Sequence, residues 1–170
     1  MERSRRPGVV TKRCFIAAGA HLIGQVQIGE LSSVWYNTVI RGDINYISIG
    51  RETNIQDNCA LHVTHELPVI IGDRVTVGHG AIVHGCVIED DCLIGMGSVI
   101  LDGARIGKGS VIAAGAVVRE RMEVPSHSLV VGVPGVIKRT LDPSTIKMIR
   151  EAGEHYVELT KARLEEADNQ

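Results

Sequence analysis

Aliphatic residues return at every sixth position along most of the chain. The series runs Ile28, Val34, Ile40, then Ile49, Ile55, Leu61, then Ile71, Val77, Val83, and finally Ile88, Ile94, Ile100, Ile106, Ile112, Val118. Glycine directly follows several of them, as in Ile28-Gly29, Ile49-Gly50, Ile71-Gly72, Val77-Gly78, Ile94-Gly95 and Ile106-Gly107. A period of six fits neither the 3.6-residue stripe of a helix nor the two-residue alternation of a long strand. It fits an all-β solenoid, a parallel β-helix in which each hexad is a short strand plus a corner. The aliphatic side chain points inward and glycine tolerates the turn. Three hexads close one triangular coil, so residues about eighteen apart stack at roughly 4.8 Å, and the core is a column of Ile and Val.

The breaks in the period are as informative as the period. Ile40 to Ile49 is nine residues, Leu61 to Ile71 is ten, and Val83 to Ile88 is five. Insertions in a solenoid leave the prism as loops at a corner, where binding faces are built. The two insertions hold Arg41-Gly42-Asp43 and Thr64–Pro68. The expected organisation is an N-terminal arm and opening strand over 1–13, the β-helix over 14–122 and a connecting segment over 123–141. A C-terminal helix over 142–170 packs on the outside of the prism. Asp142 suits the cap of that helix and Pro143 its first turn. Ile146, Ile149, Tyr156, Leu159 and Leu164 give it an apolar stripe, which Gly153 weakens locally.

Composition narrows the function classes. The 170 residues make one domain. Nineteen glycines with one Trp, three Tyr and one Phe agree with many short strands between tight turns. The net charge is −2, and the short cluster Arg3, Arg5, Arg6 is the main run of like charge. That excludes nucleic acid and anionic membrane as principal partners. Cys14, Cys59, Cys86 and Cys92 have neither CxxC nor zinc-finger spacing and read as reduced, mostly buried thiols. No apolar run is long enough to span a bilayer, and Met1–Pro7 lacks the core of a secretory signal, so a cytoplasmic location is expected.

Four of the seven histidines fall between Cys59 and Cys86: His62, His65, His79 and His84. His62 follows the core residue Leu61 and His84 follows Val83. These are equivalent positions on adjacent coils, which suits two ligands of one metal ion. His79 lies five residues before His84, a span of roughly 16 Å when extended, so it sits near a different edge. Either His79 is a bystander, or a neighbouring prism in a symmetric ring supplies its own His79 to the first subunit's pair.

The runs SVWYNTVIRGD (33–43), NIQDNCALHV (54–63), IGDRVTVGHGAIVHGC (71–86) and LIGMGSVILDGA (93–104) resemble the gamma-class carbonic anhydrase family, and within it the bacterial carbonic anhydrase-like branch. The likeness covers about residues 9–160. It implies a left-handed parallel β-helix with a C-terminal helix, assembled as a homotrimer. It further implies Zn²⁺, with Fe²⁺ or Co²⁺ as other imidazole-binding ions, held by His62 and His84 of one chain and His79 of the next. The implied reaction is reversible hydration of CO₂ to bicarbonate by a metal-bound hydroxide at the trimer interfaces. Arg41 and Asp43 match the family's interfacial ion pair, and Asp57 matches an aspartate that pairs with the arginine. Gln56 matches a glutamine that hydrogen-bonds the metal-bound water or bicarbonate, Asn54 belongs to the same network, and Tyr156 matches a tyrosine that reaches the pocket. Two features depart from the best-studied branch. Ile44 stands where that branch has Glu directly after RGD. The acidic loop after the first ligand is shortened to Thr64–Pro68, leaving His65 and Glu66 as proton-shuttle candidates. The competing readings are an acyl-CoA-dependent hexapeptide acyltransferase, a thioesterase-like accessory protein, and a structural trimer with a catalytically weak metal site. The histidine spacing and RGD argue against the first.

Overall fold

The hexads wind into a parallel β-solenoid of about six turns, followed by one helix. The computed structural model describes residues 13–168; the arm and opening strand expected over 1–13, with the Arg3, Arg5, Arg6 cluster, fall almost wholly outside the described residues. Three flat faces form a prism. The first stacks Phe15–Ile16, Ser33–Val34, Asn54–Ile55, Thr76–Val77, Leu93–Ile94, Val111–Ile112 and Ser128–Val131 in parallel. The second stacks the leading halves of His21–Ile28 and Val39–Ile49 with Ala60–His62, Ile82–His84, Val99–Ile100 and Val117–Val118. The trailing halves of the two long strands continue around a corner into the third face. There they join Val69–Ile71, Val87–Ile88, Arg105–Ile106 and Glu123–Val124.

All fifteen residues of the six-residue series lie inside the prism, each no more than 3 % exposed. Buried corner hydroxyls find carbonyls one coil away: Ser32 Oγ donates to Gly50 O at 2.7 Å and Thr53 Oγ1 to Gly72 O at 2.8 Å. These two hydroxyls therefore carry no unmet hydrogen-bonding cost, whereas His127 Nδ1, buried on a later coil, has no hydrogen-bond partner among the described residues. Cys59, Cys86 and Cys92 are buried free thiols, and burial pushes their pKa values up to about 11, 12 and 12. Among the described residues no helix is long and apolar enough to cross a membrane.

The three breaks in the period all fall at one corner, between the second and third faces. The first differs from the expected loop. Val39–Ile49 is one continuous strand, and Asp43, Ile44 and Asn45 bulge from it because Gly24 pairs with Gly42 while Gln25 pairs with Tyr46. The second is a tight loop closed by Thr64, whose Oγ1 accepts from the amides of Glu66 and Leu67 at 3.2 and 2.9 Å. The third, the deletion, turns at Gly85 with φ +49°.

The coil also runs past residue 122, the end expected from the sequence. Val124 and Val130 continue the core at 4 % and 0 % exposure, and Ile106 and Ile112 stack on them. Pro125 does not stop the coil because it occupies a corner, where its carbonyl accepts from Ser110 Oγ at 3.0 Å. A hairpin then closes this end, with Val136–Thr140 antiparallel to Ser128–Val131.

The helix Pro143–Asp168 starts under Asp142, whose Oδ1 accepts from the Thr145 amide at 3.0 Å. It packs on the first face against Phe15–Ile16, Ser33–Val34 and Asn54–Ile55. Its fastening is Asp91, a corner carboxylate only 1 % exposed. Asp91 takes Arg74 Nε at 2.8 Å, Arg150 Nη2 of the helix at 3.2 Å and Lys108 Nζ at 3.5 Å. Burial alone would raise its pKa, but the hydrogen bonds and charges of Arg74 and Arg150 outweigh that and hold it at about 2.

Asp91→Ala is expected to destabilise the chain by about 1–3 kcal/mol, since it removes a buried acceptor of two charged donors. Denaturant unfolding followed by circular dichroism checks it. Because the folded pKa is depressed, Asp91 contributes fully above about pH 4 and its contribution disappears as pH falls through about 2. The parent should therefore lose stability over that interval, and the Asp91→Ala chain should lose less.

Candidate metal centre

Residues flanking a core position in a strand point outward. Leu61 and Val83 point in, so His62 and His84 point out, and the ladder sets His62 directly beside His84 with Arg41 on its other side. The rings lie 5.1 Å apart between centroids, and His62 Nδ1 faces His84 Nε2 at 3.0 Å. Each outer nitrogen meets a carboxylate: His62 Nε2 lies 3.2 Å from Asp43 Oδ1, and His84 Nδ1 contacts Asp102 Oδ1. Arg41 in turn grips Asp43 Oδ2 at 2.6 Å, which holds the Asp43 carboxyl below its usual range.

This arrangement has a chemical consequence. A neutral imidazole that donates its outer N–H to a carboxylate carries a lone pair on its inner nitrogen. Here two such lone pairs would face each other, a repulsion that a proton or a metal ion between them relieves. Two imidazole nitrogens on one tetrahedral zinc stand about 3.3 Å apart, close to the 3.0 Å found. The pair therefore fits a metal ion. Among the described residues of one chain no three His, Cys, Asp or Glu converge on such a point.

His79 explains why. It follows the first-face strand Thr76–Val77, at the corner leading into the second face, whereas His62 and His84 end the second face at its opposite edge. Its Nδ1 pairs with Asp57 Oδ2 at 2.8 Å, its amide donates to Gln56 Oε1 at 3.2 Å, and its side chain is 45 % exposed. The same corner gathers most of the other sequence-derived residues. Gln56, nearly buried, donates through Nε2 to Asn54 Oδ1 at 3.1 Å, and Asn54 Nδ2 donates to Thr76 Oγ1 at 2.9 Å. Tyr156 packs edge-on against Trp35, 5.5 Å between centroids; burial, helped by the charge of Asp57, raises its pKa. Within one chain Asp57 thus serves His79 rather than Arg41, because the two ends of the second face keep them apart. His65 and Glu66 are exposed on the Thr64–Pro68 loop, at the corner of His62 and His84.

One residue at the site escaped the sequence reading. Asp102, in Leu101-Asp102-Gly103, holds His84 from the next coil, eighteen residues on. Stepping one coil forward from His84 would have found it.

Two hexapeptide family models match the chain, the bacterial transferase hexapeptide (six repeats) over 85–120 and the hexapeptide repeat of succinyl-transferase over 68–101. A Methanocaldococcus jannaschii protein named as a probable carbonic anhydrase is 54% identical over 153 residues, covering 90% of this chain and 96% of that protein. An Arabidopsis thaliana protein named mitochondrial gamma carbonic anhydrase 2 is 43% identical over 93% of this chain, which spans 59% of the plant protein's length. Among solved structures, a Bacillus cereus protein provisionally named an acetyltransferase superposes with a TM-score of 0.91 at 42% identity, covering 95% and 94% of the two chains.

The room for Asp102 depends on Gly85, where an added Cβ would lie 2.9 Å from Asp102 Oδ1; at Gly97, also at positive φ, it would meet nothing. Gly97→Ala should cost about 1 kcal/mol for the left-handed backbone, and Gly85→Ala about 1 kcal/mol more from the clash. Equal costs in denaturant unfolding would show that the glycine does not clear space for this carboxylate.

Proposed function

The chain belongs to the gamma-class carbonic anhydrase family, and from that membership we propose that it catalyses reversible hydration of CO₂ to bicarbonate at a metal site shared between subunits of a homotrimer. The observation that carries this reading is the His62–His84 pair, inner nitrogens facing and outer nitrogens each on a carboxylate. His62 and His84 hold two positions of the ion, and His79 from a neighbouring copy supplies the third. The pairing of His79 with Asp57 supports that role, since a carboxylate on Nδ1 leaves Nε2 free to face another subunit. Zn²⁺ suits three imidazoles with an open position, and Fe²⁺ or Co²⁺ accept the same donors.

A divalent ion there supplies Lewis acidity, bringing the pKa of water toward neutrality. The protein's own residues do the remaining work. Arg41 fixes Asp43, and Asp43 orients His62. Gln56 spends one Nε2 hydrogen on Asn54 and keeps the second for an oxygen of substrate or product. Each hydration releases one proton, and Tyr156, His65 and Glu66 are the groups at the two corners that can relay it. The exposed Ile44 in the bulge gives the approach an apolar wall rather than the charge of a glutamate.

Acyl transfer is the second reading, favoured by the provisional name of the Bacillus cereus structure. It needs a histidine free to act as base, and His62, His79 and His84 are already committed to carboxylates or to each other.

The purified chain should bind zinc and hydrate CO₂ in stopped-flow assays, and a chelator should abolish the activity. His62→Ala and His79→Ala should each lose metal and activity alone. Refolded together they should regain both, because a mixed trimer rebuilds one intact interface. A metal-replete trimer with no hydration above buffer removes the enzymatic reading, and failure of the mixture to recover metal removes the shared site.

A further inference from the structure

Asp102 has no role among the residues matched to the family above, yet its setting is tightly defined. Its backbone is fixed on both sides: Gly103 N donates to Gly85 O at 2.7 Å, and Arg121 N donates to Asp102 O at 2.8 Å. Gly103 takes φ +71° to make the turn, and Gly85 lacks the Cβ that would push the carboxylate away. Asp43, the corresponding carboxylate on His62, divides its charge between His62 and Arg41. Among the described residues the Asp102 side chain pairs with His84 and with no lysine or arginine. Four positions on successive coils thus make one chain of contacts: Asp43, His62, His84, Asp102.

We propose that Asp102 is a positioning residue that holds His84 with its proton on Nδ1 and thereby commits Nε2 to the metal. The proposal rests on the metal reading given above. A carboxylate accepting from one imidazole nitrogen fixes both tautomer and ring orientation, and loss of such a partner typically weakens metal binding 10–100-fold. Without Asp102 the proton is free to move to Nε2, where it blocks the coordinating lone pair and can donate to His62 Nδ1.

The experiment compares the full-length parent with Asp102→Ala and Asp102→Asn, using zinc competition against a chromophoric chelator, thermal melting without metal, and long-range ¹H–¹⁵N spectra of the His84 ring. In the metal-free parent His84 should carry its proton on Nδ1. In Asp102→Ala the Nε2–H form should appear and zinc affinity should fall about 10–100-fold, with the metal-free melting temperature unchanged. Asp102→Asn should recover much of the affinity, since its Oδ1 still accepts from Nδ1–H. An Asp102→Ala chain that binds zinc as tightly as the parent overturns the proposal. So does a loss of affinity matched by metal-free destabilisation that Asn does not rescue. A parent that binds no zinc removes the metal reading beneath the proposal, an outcome distinct from a parent that binds and a variant that binds equally well.

Discussion

Everything in this molecule depends on the hydrogen bonds that tie each short strand to the one a coil away. No strand of two residues is stable by itself; each exists because its neighbours above and below complete its ladder and because its aliphatic residue joins the central column. The ladder makes position along the axis and around it a simple function of residue number. A site on such a frame is specified by register alone, so His62 and His84 come together although three hexads and a four-residue insertion separate them.

Function gathers where the repeat is broken. One corner takes a three-residue bulge, a tight loop and a one-residue deletion on successive coils, and the His62–His84 pair stands at its edge. A perfect hexad has no reason to hold a polar side chain in a fixed direction away from its face. The bulge carries Asp43 out to where it reaches His62, and the deletion brings Gly85 under Asp102. Regular coils supply rigidity, and the irregular corner supplies aim. The opposite edge of the same face presents His79 with Asp57, Gln56 and Tyr156, so the two halves of the site back onto one flat wall from either side.

The solenoid was legible because its period belongs to no other secondary structure, and Leu61 and Val83 as core positions were enough to place His62 beside His84. Three matters were not legible. The insertion after Ile40 read as a loop because nothing local distinguishes a loop from a bulge; the difference lies in Gln25 pairing with Tyr46, a contact made by another coil. The coil beyond Val118 was hidden by Pro125 and Pro134, which look like breakers until each is seen at a turn. Asp102 read as an ordinary turn residue before glycine, since its meaning comes from His84 a full coil earlier. In each case the missing information was carried by a neighbour in space rather than in sequence.

The helix Pro143–Asp168 has a consequence of its own. Twenty-six residues at 1.5 Å each give about 39 Å, and about six coils at 4.8 Å give about 29 Å. The helix is thus long enough to run from the closing hairpin, past Arg150 on Asp91, back to Phe15 on the first coil. It acts as a ruler laid along the prism. A solenoid has no intrinsic stopping point, and duplication of a coil is among the easiest changes such a chain can undergo. Here an extra coil between Asp91 and the closing hairpin would pull Arg150 out of step with Asp91. The Arg150–Asp91 pair therefore ties the register of the helix to the number of turns that follow Asp91.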